Sequence, residues 1–332
     1  MRCRIIGWAA AMMLAAVTAG AQQATDPVQG TWRGLFTDKA WQNTPLSAKI
    51  VADGKGLYRV FVELADTDGK PVSALARGAF DGKKFTVDCD LDLGASLGGT
   101  CKLTAKGDGA HITGKFKGKN APGAFKLDHV FIQPPSLGAK PPANGIVLFD
   151  GKNLDAWQPT EKPWMIVEGG AMQVGKGNIV SKQEFGDHRI HLEFRTPLMA
   201  DKRGQARGNS GVYVFGRYEI QVLDSFGLPT ADNECGGIYK KAVPKTNACL
   251  PPTEWQTYDI TFHAPRFDAA GNKTKNAVIK VELNGIVIHD NVELDGTTPG
   301  GVSGVEAPKG VLLLQDHHNA VQYRNIWIEP LD

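Results

Sequence analysis

The 332 residues carry 37 basic and 35 acidic side chains, a formal net charge of +2, with no long block of either sign. Nucleic acid, which is held through clustered cationic charge, is therefore not an expected partner. The length allows one to three domains and at least one full core.

In chain order, Arg2 and Arg4 precede the apolar run "IIGWAAAMMLAAV", and Ala19-Gly20-Ala21 supplies small residues for cleavage, the pattern of a secretory signal peptide over residues 1–21. The run is shorter than the roughly 20 residues that span a bilayer. A periplasmic or secreted protein is expected, with no membrane span once the signal is removed. Cys3 leaves with the signal, and the other cysteines fall in two local pairs, Cys89 with Cys101 and Cys235 with Cys249. Neither pair has the C-x-x-C spacing of a zinc site, and in an exported protein both are expected to be disulfides.

Residues 28–132 are built from short alternating segments, among them "LSAKIVA", "GLYRVFVEL", "KFTVDCDL", "CKLTAKG" and "HITGKFKG", divided by Asp-Gly, Lys-Gly and Gly-Gly turns. A period of two marks strands with one buried face. A small antiparallel β barrel or sandwich is predicted, with Trp32, Tyr58 and Phe61 in its core and no catalytic constellation. Residues 133–144, "QPPSLGAKPPAN", hold four prolines, which disfavour helix and central strand alike, and read as a linker.

Residues 145–331 alternate again, from "IVLFD" to "VQYRNIWIEP", and "VELNGIVIHD" is a hairpin whose Asn284-Gly285 suits the positive φ angles of a type I′ turn. Eight or more such strands without helical period predict an all-β chain whose second domain is a jelly-roll sandwich. Side chains two apart in a strand share a face. His191, Glu193 and Arg195 in "IHLEFRT" thus project together, as do Glu219 and Gln221 in "YEIQV", with oily residues opposite. Such a row is either a solvated surface or, where carboxylates, amides and an imidazole converge, a sugar-binding groove. Lys202, Arg203 and Arg207 form a basic loop expected to be solvated.

The ordered blocks "LFDGKNLDAW", "SKQEFGDHRIHLEFR", "RGNSGVYV", "YEIQVLDS", "CGGIYK", "NACLPPTEWQTYDI", "LNGIVIHDN" and "LLLQDHHNAVQYRNIWI" resemble the bacterial 3-keto-disaccharide hydrolase domain family over nearly all of 145–331. The resemblance implies a concanavalin A-like jelly roll and an oxidised, 3-keto glycoside or disaccharide as substrate. A ketone at C3 acidifies the proton on C2, so a base can remove it and the C1 substituent can leave, with water adding back to give net hydrolysis. On that reading Glu193, Glu219 and His317 are the candidate catalytic proton carriers. Asn209, Ser210, Gln221, Asp224, Lys240 and Trp255 are candidate substrate-binding groups, Lys240 polarising the ketone and Trp255 stacking on sugar. The reaction needs hydrogen-bond donors or a cation at the C3 oxygen, and His191, Glu193, Glu219, Asp224 and His317 are donor types that admit a divalent metal ion.

Each group also has a plainer reading. Asn209-Ser210-Gly211 can simply shape a turn, Asp316-His317 can end a strand, Trp255 can pack a core, and Lys240 can be solvated. A lectin-like sugar binder and an ordinary glucanase use the same scaffold. The family's Asp-His-Gly stands here as Asp316-His317-His318, which raises the question of the local turn, because glycine tolerates positive φ.

Overall fold

The computed structural model describes residues 25–331 apart from Ala40, Thr67, Asn120 and Glu161; the expected signal peptide and Cys3 lie outside the described residues. Alternation in the first stretch builds β1 (Gly30–Phe36), β2 (Pro45–Gly54), β3 (Leu57–Ala65), β4 (Pro71–Phe80), β5 (Phe85–Asp92), β6 (Thr100–Gly107), β7 (His111–Lys117) and β8 (Ala124–Val130). Neighbours pair antiparallel, and β1 also pairs with β8 from Thr31↔Val130 to Phe36↔Phe125, which closes a barrel and removes its open edges. Inward side chains such as Ile50, Val60, Phe85, Leu103 and Phe116 leave a residual space of about 20 Å³, room for about one water. The barrel is thus a packed core rather than a ligand container. Trp32 and Tyr58 are buried as expected, but Phe61 faces outward, where its ring lies against Gly227 of the second domain.

The second domain contains β9 (Ile146–Phe149), β10 (Met165–Val167), β11 (Ala171–Gln173), β12 (Ile179–Phe185), β13 (His188–Arg195), β14 (Ser210–Val214) and β15 (Tyr218–Val222). It continues with β16 (Gln256–His263), β17 (Arg266–Phe267), β18 (Lys273–Lys275), β19 (Ala277–Leu283), β20 (Ile286–Leu294), β21 (Gly310–Leu314) and β22 (Gln322–Pro330). The larger sheet runs β10-β11-β22-β13-β16-β19-β20, with β9 also on β22; the smaller runs β12-β21-β14-β15, and β17 with β18 is a separate ribbon. The Asn284-Gly285 turn between β19 and β20 has φ of 55° and 77°, the left-handed pair that a two-residue hairpin demands. Ile190, Leu192 and Phe194 of β13 and Tyr258, Ile260 and Phe262 of β16 share one core with Val212, Val214, Tyr218, Ile220 and Val222 of the smaller sheet. The protein is all-β, a closed antiparallel barrel followed by a concanavalin A-like jelly-roll sandwich.

The linker gains partners here, and the expected disulfides do not form. Residues 133–144 lie on the outer face of the larger sheet: Gly138 N donates to Glu193 Oε1 at 2.6 Å, and Ala139 O accepts from Asn325 Nδ2 at 3.0 Å and Trp327 Nε1 at 3.2 Å. Neither cysteine pair is bridged, and Cys89, Cys101, Cys235 and Cys249 are free thiols. The β5–β6 register pairs Cys89 with Leu103 and Cys101 with Leu91, so these two cysteines are diagonal neighbours. Diagonal neighbours sit roughly 7–8 Å apart, wider than most disulfides span. Cys235 and Cys249 are buried neighbours whose sulfurs interact with each other; Cys235 also meets Tyr258 Oη at 3.5 Å, and Cys249 donates to Leu250 O at 3.4 Å.

Candidate active site

The core lies between the two sheets, so side chains that turn away from it on β13 and on β15 emerge on opposite sides of the domain. This separates residues that alternation alone placed on one polar face. Glu193 is on the outer side of the larger sheet, buried beneath the linker, where it accepts from Arg324 Nε at 2.6 Å, Asn325 Nδ2 at 2.9 Å and Gly138 N. Burial works against its ionisation, but the bonds from His191, Asn325, Gly138 and Arg324 prevail and hold its pKa at about 2. His191 is bonded through Nδ1 to Asp259 Oδ1 at 2.7 Å and stacks on Trp327 at 5.1 Å. The His191–Glu193 row clamps the linker.

The smaller sheet carries the cavity. Register pairs Tyr213 of β14 with Glu219 of β15 and Gly211 with Gln221, all facing away from the core. With Gln205, Asn209, Tyr239, Pro299, Gly300, Gln315 and His317 they line a pocket of about 180 Å³. A side chain on Gly211 would overlap Glu219 Oε1, so only glycine leaves room for the carboxyl to lie across β14. Tyr213 Oη donates to Glu219 Oε2 at 2.8 Å, receives Gln315 Nε2 at 3.2 Å, and also lies 3.0 Å from Pro299 O. Burial drives the Glu219 pKa up, only partly opposed by the Tyr213 bond, and leaves it at about 7. The carboxyl is therefore poised between its two protonation states near neutrality.

Amides form the rest of the wall. Gln205 Oε1 accepts from Asn209 Nδ2 at 3.1 Å and Gln221 Nε2 at 3.2 Å, while its own Nε2 donates to Asn233 O at 2.7 Å. Those bonds occupy the NH2 ends and leave Asn209 Oδ1 and Gln221 Oε1 without partners, as is Gln315 Oε1. Three unpaired carbonyl oxygens on residues lining one pocket are a demand for hydrogen-bond donors, and sugar hydroxyls are suitable donors.

Of the other expected residues, His317 lines the pocket and is exposed at it. His318 does take the left-handed conformation, φ 61°, that glycine would adopt more cheaply, and its N–H is held by Asp316 Oδ1 at 2.7 Å. Ser210 turns toward the core, donating to Gln315 O at 2.6 Å and accepting from Tyr323 Oη at 2.7 Å. Asp224 lies behind the pocket, buried in an ion pair with Arg207 Nε at 2.6 Å. Arg207 is itself only 3% exposed, contrary to its expected solvation. Lys240 is exposed, with Nζ 5.4 Å from the Tyr239 ring centre, and Tyr239 lines the pocket in its place. Trp255 lies under the Arg195 and Arg324 guanidinium groups at 4.7 and 4.0 Å, beside Glu193 rather than Glu219. The five donors that admitted a metal are thus dispersed, and among the described residues no three His, Cys, Asp or Glu side chains are placed to hold one ion.

Gln205, Tyr213, Tyr239, Pro299, Gly300 and Gln315 are pocket residues that sequence reasoning did not select. Tyr213 had a signal: alternation in "SGVYV" sets it two positions from Gly211, on the face away from Val212 and Val214.

The sequence model of the 3-keto-alpha-glucoside-1,2-lyase-like domain matches residues 144–329. The chain belongs to this family. Every residue lining the pocket falls inside the span of the lyase-like domain, and the barrel lies outside it. Among solved structures, a protein from Parabacteroides distasonis ATCC 8503 provisionally assigned as a glycosyl hydrolase is 38% identical, with a TM-score of 0.53 over 57% of this chain and 85% of its own. A second, from the same organism and with the same provisional assignment, is 21% identical, with a TM-score of 0.42 over 57% of this chain and 94% of its own. No curated protein matches the sequence.

Proposed function

We propose that the lyase-like domain acts on glycosides bearing a ketone at C3 and cleaves the bond at C1, with Glu219 as the base that removes the C2 proton. Family membership and the 38% identical neighbour support action on glycosides. The observation that carries the finer reading is the pocket's acid content: Glu219 is the one carboxyl among its lining residues, buried and with a pKa of about 7. A base of that strength suits removal of an activated carbon-bound proton at neutral pH. Ordinary glycosidases set two carboxyls across the scissile bond, an arrangement this lining does not supply.

In the proposed reaction Glu219 takes the C2 proton and the C–H electrons form an enediolate, with charge on the C3 oxygen. Collapse restores the ketone, creates a C1–C2 double bond and expels the C1 oxygen with its electron pair. That oxygen takes up a proton, and His317, exposed at the pocket, is assigned to supply it. Water adding across C1–C2 completes net hydrolysis. Tyr213 donates to Glu219 while the carboxylate is charged; once Glu219 is protonated, the phenol can give its hydrogen to Pro299 O and accept from the new acid. Both protonation states are thereby satisfied without moving the ring. The unpaired oxygens of Asn209, Gln221 and Gln315 are enclosed in the pocket wall, and sugar hydroxyls would satisfy them as the wall adjusts to substrate.

The test is turnover of a synthetic aryl 3-keto-glucoside and its unoxidised parent, with C2 proton exchange followed in deuterated water. Aryl release from the keto compound alone, with C2 exchange, is expected, and Glu219→Gln should lower it by roughly 10³-fold. Cleavage of the parent would make the enzyme an ordinary glucanase. Binding without product at any pH would make the domain a sugar-binding module.

A further inference from the structure

The barrel contributes no residue to the pocket, yet it grips the segment that does. Residues 196–209 join β13 to β14, and apart from a 3₁₀ turn at Gly204–Ala206 they have no regular structure. A loop of this length held only at its ends would sample many conformations. Leu198 and Ala200 pack against the barrel's hydrophobic core. Arg203 Nη2 lies 3.0 Å from Asp53 O and 3.1 Å from Asp53 Oδ1, at the end of β2, while its Nη1 donates to Ala200 O at 2.7 Å and Lys202 O at 2.6 Å. Arg207 Nη1 donates to Ala52 O at 3.1 Å as its Nε pairs with Asp224. Gln205 stands between these two arginines.

Gln205 in turn sets the amides on the pocket wall. Its Oε1 accepts from Gln221 Nε2 and Asn209 Nδ2, and its backbone oxygen accepts from Asn209 Nδ2 at 2.8 Å; together these bonds hold the NH2 groups and leave the two carbonyl oxygens unpaired. A displaced Gln205 would release both amides to flip, exchanging acceptors for donors toward a ligand.

We propose that residues 28–132 act as a positioning domain. The Ala52–Asp53 end of β2, through Arg203 and Arg207, fixes Gln205 and so orients the Asn209 and Gln221 amides for substrate. Arg203, Arg207 and Asp53 are positioning residues, and Gln205 is the specificity residue they serve. The substrate part of this claim rests on the 3-keto-glycoside reading above; the anchoring part does not.

The test uses the full chain with Arg203→Ala, Gln205→Ala and the double variant. Arg203 is half exposed and Asp53 retains Arg59 and Arg77 as partners, so removing it strands no buried charge. Amide hydrogen exchange over 199–209, read without substrate, should speed up about tenfold in Arg203→Ala, with the sandwich core strands unchanged. KM for the aryl 3-keto-glucoside should rise about tenfold with kcat within about threefold, as expected for lost ground-state binding. In the Gln205→Ala background the Arg203 substitution should add nothing further to KM, because it acts through that side chain. Unchanged exchange in Arg203→Ala overturns the anchoring claim, and additive KM effects overturn the route through Gln205. If the wild type turns over no 3-keto-glucoside, the function reading fails separately and exchange alone decides the anchoring.

Discussion

Glu219→Gln should make the protein more stable as it makes it inactive, and the gain should depend on pH. The glutamine keeps the shape beside Gly211 and can still accept the Tyr213 hydrogen bond, but it removes the ionisable group. Burial raises the Glu219 pKa from its ordinary 4.5 to about 7, so between those values the folded state holds a proton that the unfolded chain has lost. Stability tied to this group is therefore fully present below about 4.5 and declines as pH rises through about 7. At about 1.4 kcal/mol per pH unit the burial of the charged form costs about 3 kcal/mol once Glu219 is fully ionised. In a domain of this size that corresponds to a Tm gain for the variant of about 6–12 °C at pH 8.5, shrinking to about 1 °C at pH 4.5. Thermal unfolding of both proteins at the two pH values, followed by near-ultraviolet circular dichroism, measures it. An equal Tm difference at both pH values, or a less stable variant at pH 8.5, would refute the claim that this carboxyl is held neutral by burial.

Tyr213→Phe removes the bond that lowers the Glu219 pKa; a hydrogen bond to a charged group is worth about 1.5 kcal/mol, so the rising limb of kcat/KM against pH should move from near 7 to about 8. Gly211→Ala puts a methyl group where Glu219 Oε1 lies; displacing the base by about 1 Å should cost roughly 10²-fold in kcat with an unaltered far-ultraviolet spectrum. Glu193→Ala strands the Arg324 guanidinium and the Gly138 amide, and urea unfolding should show a loss of about 3 kcal/mol. Turnover per folded Glu193→Ala molecule should be unchanged, because that residue is on the other sheet. Because the Glu193 pKa is depressed to about 2, the stability it supplies is present above about 4.5 and lost as pH falls toward 2, so the gap between wild type and variant should close in acid.

Much of this architecture was legible in the sequence because strand alternation is a local property. The period of two in "YEIQV" and "IHLEFR" told correctly which residues face the core. The ordered blocks of the second domain were enough to identify its family. Alternation put Glu219 and Gln221 on one face, and the family resemblance singled out Asn209 and His317; all four line the pocket.

What alternation does not carry is the sheet to which a strand belongs. Glu193 and Glu219 have equivalent patterns, and only the assignment of β13 to the larger sheet and β15 to the smaller one sends them to opposite sides of the domain. The same holds for partners distant in sequence. Arg207 looked like a solvated cation until Asp224 and the Ala52 carbonyl enclosed it, and Gln205 gained its role from an arginine on each side and from a barrel 150 residues upstream. Residue type and spacing thus determined the strands, their buried faces and the family. Sheet assignment and long-range burial decided which polar groups meet, because the pKa and hydrogen-bond state of a side chain are set by whatever the fold packs around it.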